Sequence, residues 1–144
     1  MELWREKAAE LFPELEKEVG EAENPYLLWF ELRAIFEYAY GPPWNESLIK
    51  RVYEYAYWCE SQPRGQTAED DLLTVVAVCF YEHLPEHPAA RADMPRWFTR
   101  DEIMAMKSLF CYRISESDFA ELLKLFPPDH SHRSKRRQTK HRRI

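Results

Sequence analysis

Glycine is scarce in this sequence, which has three glycines and ten prolines among its 144 residues. Sheet-rich folds use glycine in tight turns, whereas helices are punctuated by proline and asparagine. A glycine-rich loop that cradles phosphate is excluded by the same shortage. The composition therefore favours an all-helical protein and argues against a nucleotide-binding loop.

Long apolar runs and paired cysteines are also missing. No stretch approaches the roughly 18–20 apolar residues that a membrane helix needs. The first six residues, MELWRE, are charged and form no signal-peptide core. Cys59, Cys79 and Cys111 are odd in number and far apart, which is typical of buried thiols in a reducing compartment. We therefore expect a cytoplasmic protein with no membrane partner.

The segment from Asp70 to Leu84 contains the most apolar part of the chain. Between Leu72 and Tyr81 only Thr74 is polar. A segment that is apolar all round belongs in the middle of a domain, and its length together with the acidic start favours a helix over a strand. Residues 70–84 are therefore predicted to form a central buried helix.

Helix start signals recur along the rest of the chain. Asparagine, threonine or serine stands before segments with helical periodicity at Asn24, Asn45, Thr99 and Ser115. Pro13 predicts a break in the first helix near Phe12, because proline removes a backbone donor. Together these signals predict one all-α domain of about six helices over residues 1–128, followed by a disordered tail.

The net charge of −5 hides two oppositely charged parts. Residues 129–144 carry seven Lys/Arg and one Asp, which leaves 13 Lys/Arg against 24 Asp/Glu in residues 1–128. The body therefore has a charge of −11 and the tail of +6. Such opposite balances predict different partners for the two parts.

The outer face of the first helical region is almost entirely acidic. We predict a partner-binding acidic face formed by Glu10, Glu14, Glu16, Glu18 and Glu21. The next two helices carry more aromatic side chains than a core needs, and tyrosine and tryptophan are enriched where proteins bind one another. The aromatic residues assigned to the same role are Tyr40, Trp44 and Tyr57. The expected partner is a basic, partly apolar protein.

No catalytic or metal-binding constellation stands out. His83 and His87 lie four residues apart beside Glu82 and Glu86, but Pro85 separates the two histidines and disfavours one shared helical face. We therefore expect no metal, no cofactor, no small-molecule substrate and no enzymatic activity. An unrecognised hydrolase or metal enzyme around the two histidines is the weakest of the alternatives.

The tail provides the main alternative function. Its cations are Arg133, Lys135, Arg136, Arg137, Lys140, Arg142 and Arg143. These side chains suit the phosphates of nucleic acid, with binding that weakens as salt rises. The same segment has the charge to fold back on the acidic body of its own or a neighbouring chain.

A set of short motifs resembles a family of small uncharacterised bacterial all-helical proteins. The motifs are Phe12-Pro13-Glu14-Leu15, Asn24-Pro25-Tyr26, Leu28-Trp29-Phe30-Glu31-Leu32, Val52-Tyr53-Glu54-Tyr55-Ala56, Trp58-Cys59, Phe80-Tyr81-Glu82-His83-Leu84 and Pro95-Arg96-Trp97. The resemblance covers residues 3–126 and implies a bacterial, cytosolic, single-domain protein. It implies no activity and no functional residues.

The sequence thus predicts a non-enzymatic protein-interaction module whose acidic, aromatic-bearing helical surface binds a basic protein. A toxin-neutralising immunity protein is one concrete form of such a module. The alternative is a nucleic-acid-associated protein that acts through residues 129–144.

Overall fold

The structure, a computed structural model, describes residues 2–68 and 70–128. These residues form nine α-helices, three 3-10 helices and no strand, so the predicted all-α class is confirmed. The chain divides between Phe80 and Tyr81 into two compact units. None of the helices in this described part is both long and apolar enough to cross a bilayer. The predicted tail disorder lies outside the described residues, and the domain limits of 1–128 and 129–144 stay a prediction.

The first unit contains five α-helices, of which the last is central. The elements are α1 (Leu3–Leu11), a 3-10 helix (Pro13–Leu15), α2 (Glu16–Glu21), α3 (Pro25–Tyr38), α4 (Glu46–Glu60) and α5 (Leu72–Cys79). Helices α3 and α4 both pack on α5, and α1 packs on α2 and α4. The most apolar helix therefore lies inside this unit, as its composition predicts.

Aromatic side chains fill the core of the first unit. The ring of Phe80 lies 5.0 Å from Trp29, 4.9 Å from Phe36 and 5.5 Å from Tyr53, measured between ring centroids. The Tyr55 ring stacks on Trp29 at 5.3 Å, and its hydroxyl donates a 2.8 Å hydrogen bond to the backbone oxygen of Trp4. Close aromatic pairs of this kind stabilise a core beyond simple burial, and the Tyr55 bond ties α1 to α4.

The predicted helix starts of α3 and α4 are confirmed. The side chain of Asn24 accepts a 2.9 Å hydrogen bond from the Leu27 amide, and Pro25 takes the first helical position. Asn45 accepts in the same way from Leu48 at 3.2 Å. Each bond satisfies one of the donors that a helix leaves open at its N-terminus.

Pro13 breaks the first helical region, as predicted. Helix α1 ends at Leu11, one residue before Phe12, and the chain passes through a 3-10 turn into α2. The guanidinium of Arg51 on α4 donates a 2.9 Å hydrogen bond to the Leu11 carbonyl, 40 residues away in sequence. A backbone acceptor at the end of α1 is thus satisfied by a side chain from another helix.

The central helix is shorter than the predicted 70–84. Helix α5 ends at Cys79, and a separate 3-10 helix follows from Tyr81 to Glu86. The backbone leaves the helical conformation at Phe80, where φ is −123° and ψ is −64°. Pro85 then prevents the α-helix from resuming, because its ring clashes with the carbonyl four residues earlier, that of Tyr81. The segment is also not covered all round, since Val78 remains 41% exposed.

The carboxylate of Asp71 closes the loop before α5. It accepts hydrogen bonds from Arg64 Nη2 at 2.6 Å, from the Gly65 amide at 3.0 Å and from the Thr74 hydroxyl at 2.6 Å. These donors, with Arg64 the strongest, hold the pKa of Asp71 below its ordinary value. The acid at the helix start therefore binds the preceding loop instead of capping α5 with its side chain.

The second unit is a set of short helices. Its elements are the 3-10 helix Tyr81–Glu86, α6 (Pro88–Asp93), a 3-10 helix (Met94–Arg96), α7 (Arg100–Ala105), α8 (Lys107–Phe110) and α9 (Glu116–Leu123). The predicted starts are confirmed, with a complete capping box between Thr99 and Glu102 and a 3.0 Å bond from the Asp118 amide to Ser115. Arg100 donates to the Leu123 carbonyl at the end of α9 at 2.9 Å.

Candidate functional site

The negative charge of the body is concentrated in the first unit. Residues 1–80 carry 16 Asp/Glu and seven Lys/Arg, a charge of −9, whereas residues 81–128 carry eight Asp/Glu and six Lys/Arg, a charge of −2. Any surface that attracts a basic partner through charge is therefore to be sought on the first unit.

The predicted acidic face is divided among three elements by the break at Pro13. Glu10 lies on α1, Glu14 on the 3-10 turn, and the remaining members, Glu16, Glu18 and Glu21, on α2. Glu10 pairs with Lys7 at 3.5 Å. The five carboxylates consequently do not form the single helical face that their sequence spacing suggests.

Glu14 has an internal partner. Both of its carboxylate oxygens face Arg51, at 2.8 Å from Nη1 and 2.7 Å from Nη2. The hydrogen bonds from Arg51 hold the pKa of Glu14 below its ordinary value. This carboxylate therefore helps to join the turn to α4 and is not available to a basic partner without breaking that pair.

Between α2 and α3 lies a groove of about 690 Å³ that combines acidic and apolar side chains. We call it the acidic groove, and it is lined by Lys17, Glu18, Glu21, Ala22, Glu23, Leu27, Phe30 and Glu31. It contains two members of the predicted acidic face, Glu18 and Glu21. It adds two carboxylates and two large apolar side chains that the sequence reasoning did not assign to a site.

Most of the groove carboxylates lack an internal counter-ion. Lys17 pairs with Glu21, with 3.6 Å between Nζ and Oε1, and both side chains are highly exposed. Within residues 2–68 and 70–128, no cation pairs with Glu18, Glu23 or Glu31. Within that part of the chain, the groove therefore presents three carboxylates without a cationic partner beside one weak surface pair.

The apolar part of the groove is unusually open to solvent. Leu27 is 41% exposed and Phe30 is 50% exposed, although both belong to the helix that carries the core residues Leu28, Trp29 and Leu32. Single exposed apolar residues are normal, but here two large ones line the same concave surface. Such side chains are suited to contact an apolar group of a ligand.

The predicted aromatic residues lie outside this groove. Tyr40 is 5% exposed and packs edge-on against Phe36 and Trp44, so it is a core residue and not part of an exposed patch. Trp44 is 42% exposed, and Tyr57 is partly buried beside Tyr53. The aromatic side chains predicted to bind a partner thus mostly pack against other aromatic residues of the first unit.

A second, smaller cleft of about 420 Å³ lies beside the acidic groove and shares Glu23 with it. Two of its other carboxylates already have partners, since Glu2 accepts from Arg5 at 3.0 Å and Asp70 accepts from the Thr67 amide at 2.8 Å. This cleft therefore offers less free charge than the acidic groove.

The two histidines make separate contacts. Nδ1 of His83 lies 3.1 Å from Glu86, whereas Nδ1 of His87 accepts from the Ala90 amide as the N-cap of α6. Among the described residues, no three His, Cys, Asp or Glu side chains are grouped so that they could hold a metal ion. Burial raises the pKa of the Cys59 thiol to about 12, which makes it unreactive at neutral pH.

The cations assigned to nucleic-acid binding, Arg133 to Arg143, all lie outside the described residues. Comparison of the chain with protein-family models, curated proteins and solved structures gave no match. The resemblance to small bacterial helical proteins therefore stays a prediction.

Proposed function

We propose that the protein is a non-enzymatic interaction module that binds a basic, partly apolar segment of a partner protein in the acidic groove. The observation that supports this proposal is the combination of Glu18, Glu23 and Glu31, which have no cationic partner in the described chain, with the half-exposed side chains of Leu27 and Phe30. Charge attracts the partner, and apolar contact provides the affinity that charge alone does not.

The surrounding charge supports the same partner class. The first 80 residues carry a charge of −9. A field of this sign accelerates association with a basic protein and disfavours acidic surfaces such as nucleic acid or anionic lipid. A protein that neutralises a basic toxin is one form that such a module can take.

The test is a quantitative pull-down from native lysate, with nuclease added, that compares two matched variants of the full chain. The first, Glu23→Lys with Glu31→Lys, reverses charge in the groove. The second, Glu6→Lys with Glu54→Lys, makes the same change of net charge at exposed positions outside it. We expect one basic protein to be held by the wild type and the control variant and lost from the groove variant. Equal retention by both variants would reject the groove as the binding site.

The basic tail supports a second candidate, association with nucleic acid. Seven Lys/Arg against one Asp in residues 129–144 suit contact with phosphates. The test measures binding of the full chain to a random-sequence DNA duplex before and after all seven cations are changed to glutamine. We expect affinity that falls steeply with salt and is lost on neutralisation, whereas binding that survives neutralisation would contradict this function.

A further inference from the structure

The outer face of α3 carries an apolar stripe that extends beyond the groove. We define the α3 stripe as Leu27, Phe30, Ala34 and Tyr38. Leu27 is 41% exposed, Phe30 is 50% exposed and Tyr38 is 87% exposed, and Ala34 is exposed between them. The first unit thus leaves these four side chains exposed along one face of α3, with the exposed carboxylate of Glu31 beside them.

The stripe runs almost straight along the helix. Its steps of three, four and four residues return Tyr38 to within about 20° of Leu27 around the axis, at 3.6 residues per turn. The distance covered is about 16 Å along the axis, or three turns. Because the opposite face, with Leu28, Leu32 and Phe36, is buried against the unit, α3 is apolar on two sides.

Charge limits what can cover the stripe. Glu31 lies one turn beyond Leu27, Glu23 precedes the first turn of α3, and the other groove carboxylates lie on α2. A second copy that presented the same face would bring like charges together, and an anionic membrane would be repelled. The chain's own tail has suitable cations, but between residues 130 and 143 it has no apolar side chain to place on the stripe.

We infer that the partner segment is a basic amphipathic α-helix that lies along α3, an inference that rests on the proposed function of the acidic groove. Its apolar side chains pack on the α3 stripe, and its Lys or Arg side chains face Glu18, Glu23 and Glu31. An occupant of this kind matches both properties of the surface, its exposed apolar side chains and its carboxylates, which have no cationic partner among the described residues.

Spacing favours a helix over an extended segment. Neighbouring positions of the α3 stripe are separated by about 4.5–6 Å along the axis, close to the 5.4 Å pitch at which a partner helix repeats one face. Side chains on one face of an extended chain repeat at about 6.6–6.8 Å. Among the described residues there is also no strand edge to which an extended segment could add. Recognition here consequently depends on side chains alone.

The experiment uses the full chain and three synthetic 18-residue peptides labelled with fluorescein. The first places leucine on one helical face and lysine elsewhere. The second has the same composition with leucine and lysine strictly alternating, and the third is the helical peptide with glutamate in place of lysine. Fluorescence anisotropy is expected to give at least tenfold tighter binding of the first peptide than of either control.

Variants of the protein then locate the site. Phe30→Ser, and separately Ala34→Gln, which adds bulk at an exposed helical position, should each weaken the helical peptide at least tenfold. Tyr112→Ser is the matched control, because Tyr112 is 81% exposed and lies outside α3. Circular dichroism confirms that each variant folds.

The outcomes separate this inference from the proposed function. Equal binding of the two basic peptides, with affinity lost in the Glu23→Lys/Glu31→Lys variant, would overturn the helix and leave the acidic groove in place. An unchanged affinity for the helical peptide in Phe30→Ser and Ala34→Gln would overturn the α3 stripe as the binding site. If the affinity is also unchanged in the Glu23→Lys/Glu31→Lys variant, the result would count against both the α3 stripe and the acidic groove.

Discussion

Two phenylalanines on one helix provide a direct test of the surface on which the proposals depend. Phe30 and Phe36 both belong to α3, but Phe30 is 50% exposed and Phe36 is 1% exposed. The Phe36 ring contacts Tyr53 and Phe80, with centroid distances of 5.7 and 4.9 Å. The same substitution at the two positions should therefore have very different effects on the free energy of unfolding.

For Phe36→Ala we expect a loss of about 3–5 kcal/mol, since the change removes a buried ring and leaves a cavity. For Phe30→Ala the loss of buried apolar area should lower the free energy of unfolding by about 1 kcal/mol, or half the contribution of a fully buried side chain. Alanine's higher helix propensity returns about 0.5 kcal/mol, which leaves a net loss of about 0.5 kcal/mol.

Urea denaturation followed by tryptophan fluorescence and far-UV circular dichroism measures both losses. With a slope of about 1.5 kcal/mol per molar urea, Phe36→Ala should lower the midpoint by about 2 M or more, and Phe30→Ala by about 0.3 M. A loss for Phe30→Ala equal to that for Phe36→Ala would show that Phe30 is a core residue, and it would remove the basis of the acidic groove and the α3 stripe.

Three further predictions concern the first unit. Asp71→Asn should lower the free energy of unfolding by about 1–2 kcal/mol at pH 7. Because Arg64 and the other donors lower the pKa of Asp71, this loss relative to wild type should shrink as pH falls from about 4 towards 2. A loss of stability that does not change with pH would contradict this prediction. Tyr55→Phe should cost about 1 kcal/mol through loss of the bond to Trp4, seen as a lower midpoint in urea, and an unchanged midpoint would refute the role of that bond. Cys59 should resist a thiol reagent at pH 8 until denaturant is added, whereas rapid labelling in the native protein would contradict its burial.

Local signals in the sequence were sufficient for the helix starts and for the break at Pro13. Each capping side chain accepts a hydrogen bond from an amide three residues later, so these bonds can be predicted without knowledge of the fold. The caps are Asn24, Asn45, Thr99 and Ser115. The end of α5 was placed too late, because the chain leaves the helical conformation at Phe80, five residues before the proline that predicted the end of the helix. The sequence therefore predicts that this helix ends before Pro85, but it does not fix the residue at which the helix ends.

The candidate site depended on information that the sequence does not carry locally. Helical periodicity predicts the buried face of α3 with Leu28, Leu32 and Phe36. Leu27 and Phe30 are apolar as well, so periodicity does not show that these two side chains stay exposed. Only the placement of the neighbouring helices decides this. In the same way, Glu14 looks like any other surface acid until Arg51, 37 residues later, is found beside it.

The contact between Arg51 and the Leu11 carbonyl has a consequence for how this chain can change over generations. Pro13 ends α1, and Arg51 compensates from a different helix for a backbone acceptor at that end. A lineage that lost Pro13 and lengthened α1 would leave Arg51 with only its pair to Glu14, whereas a lineage that lost Arg51 first would leave both the carbonyl and the Glu14 carboxylate without this partner. The two positions should consequently change together, although they stand 38 residues apart in the sequence.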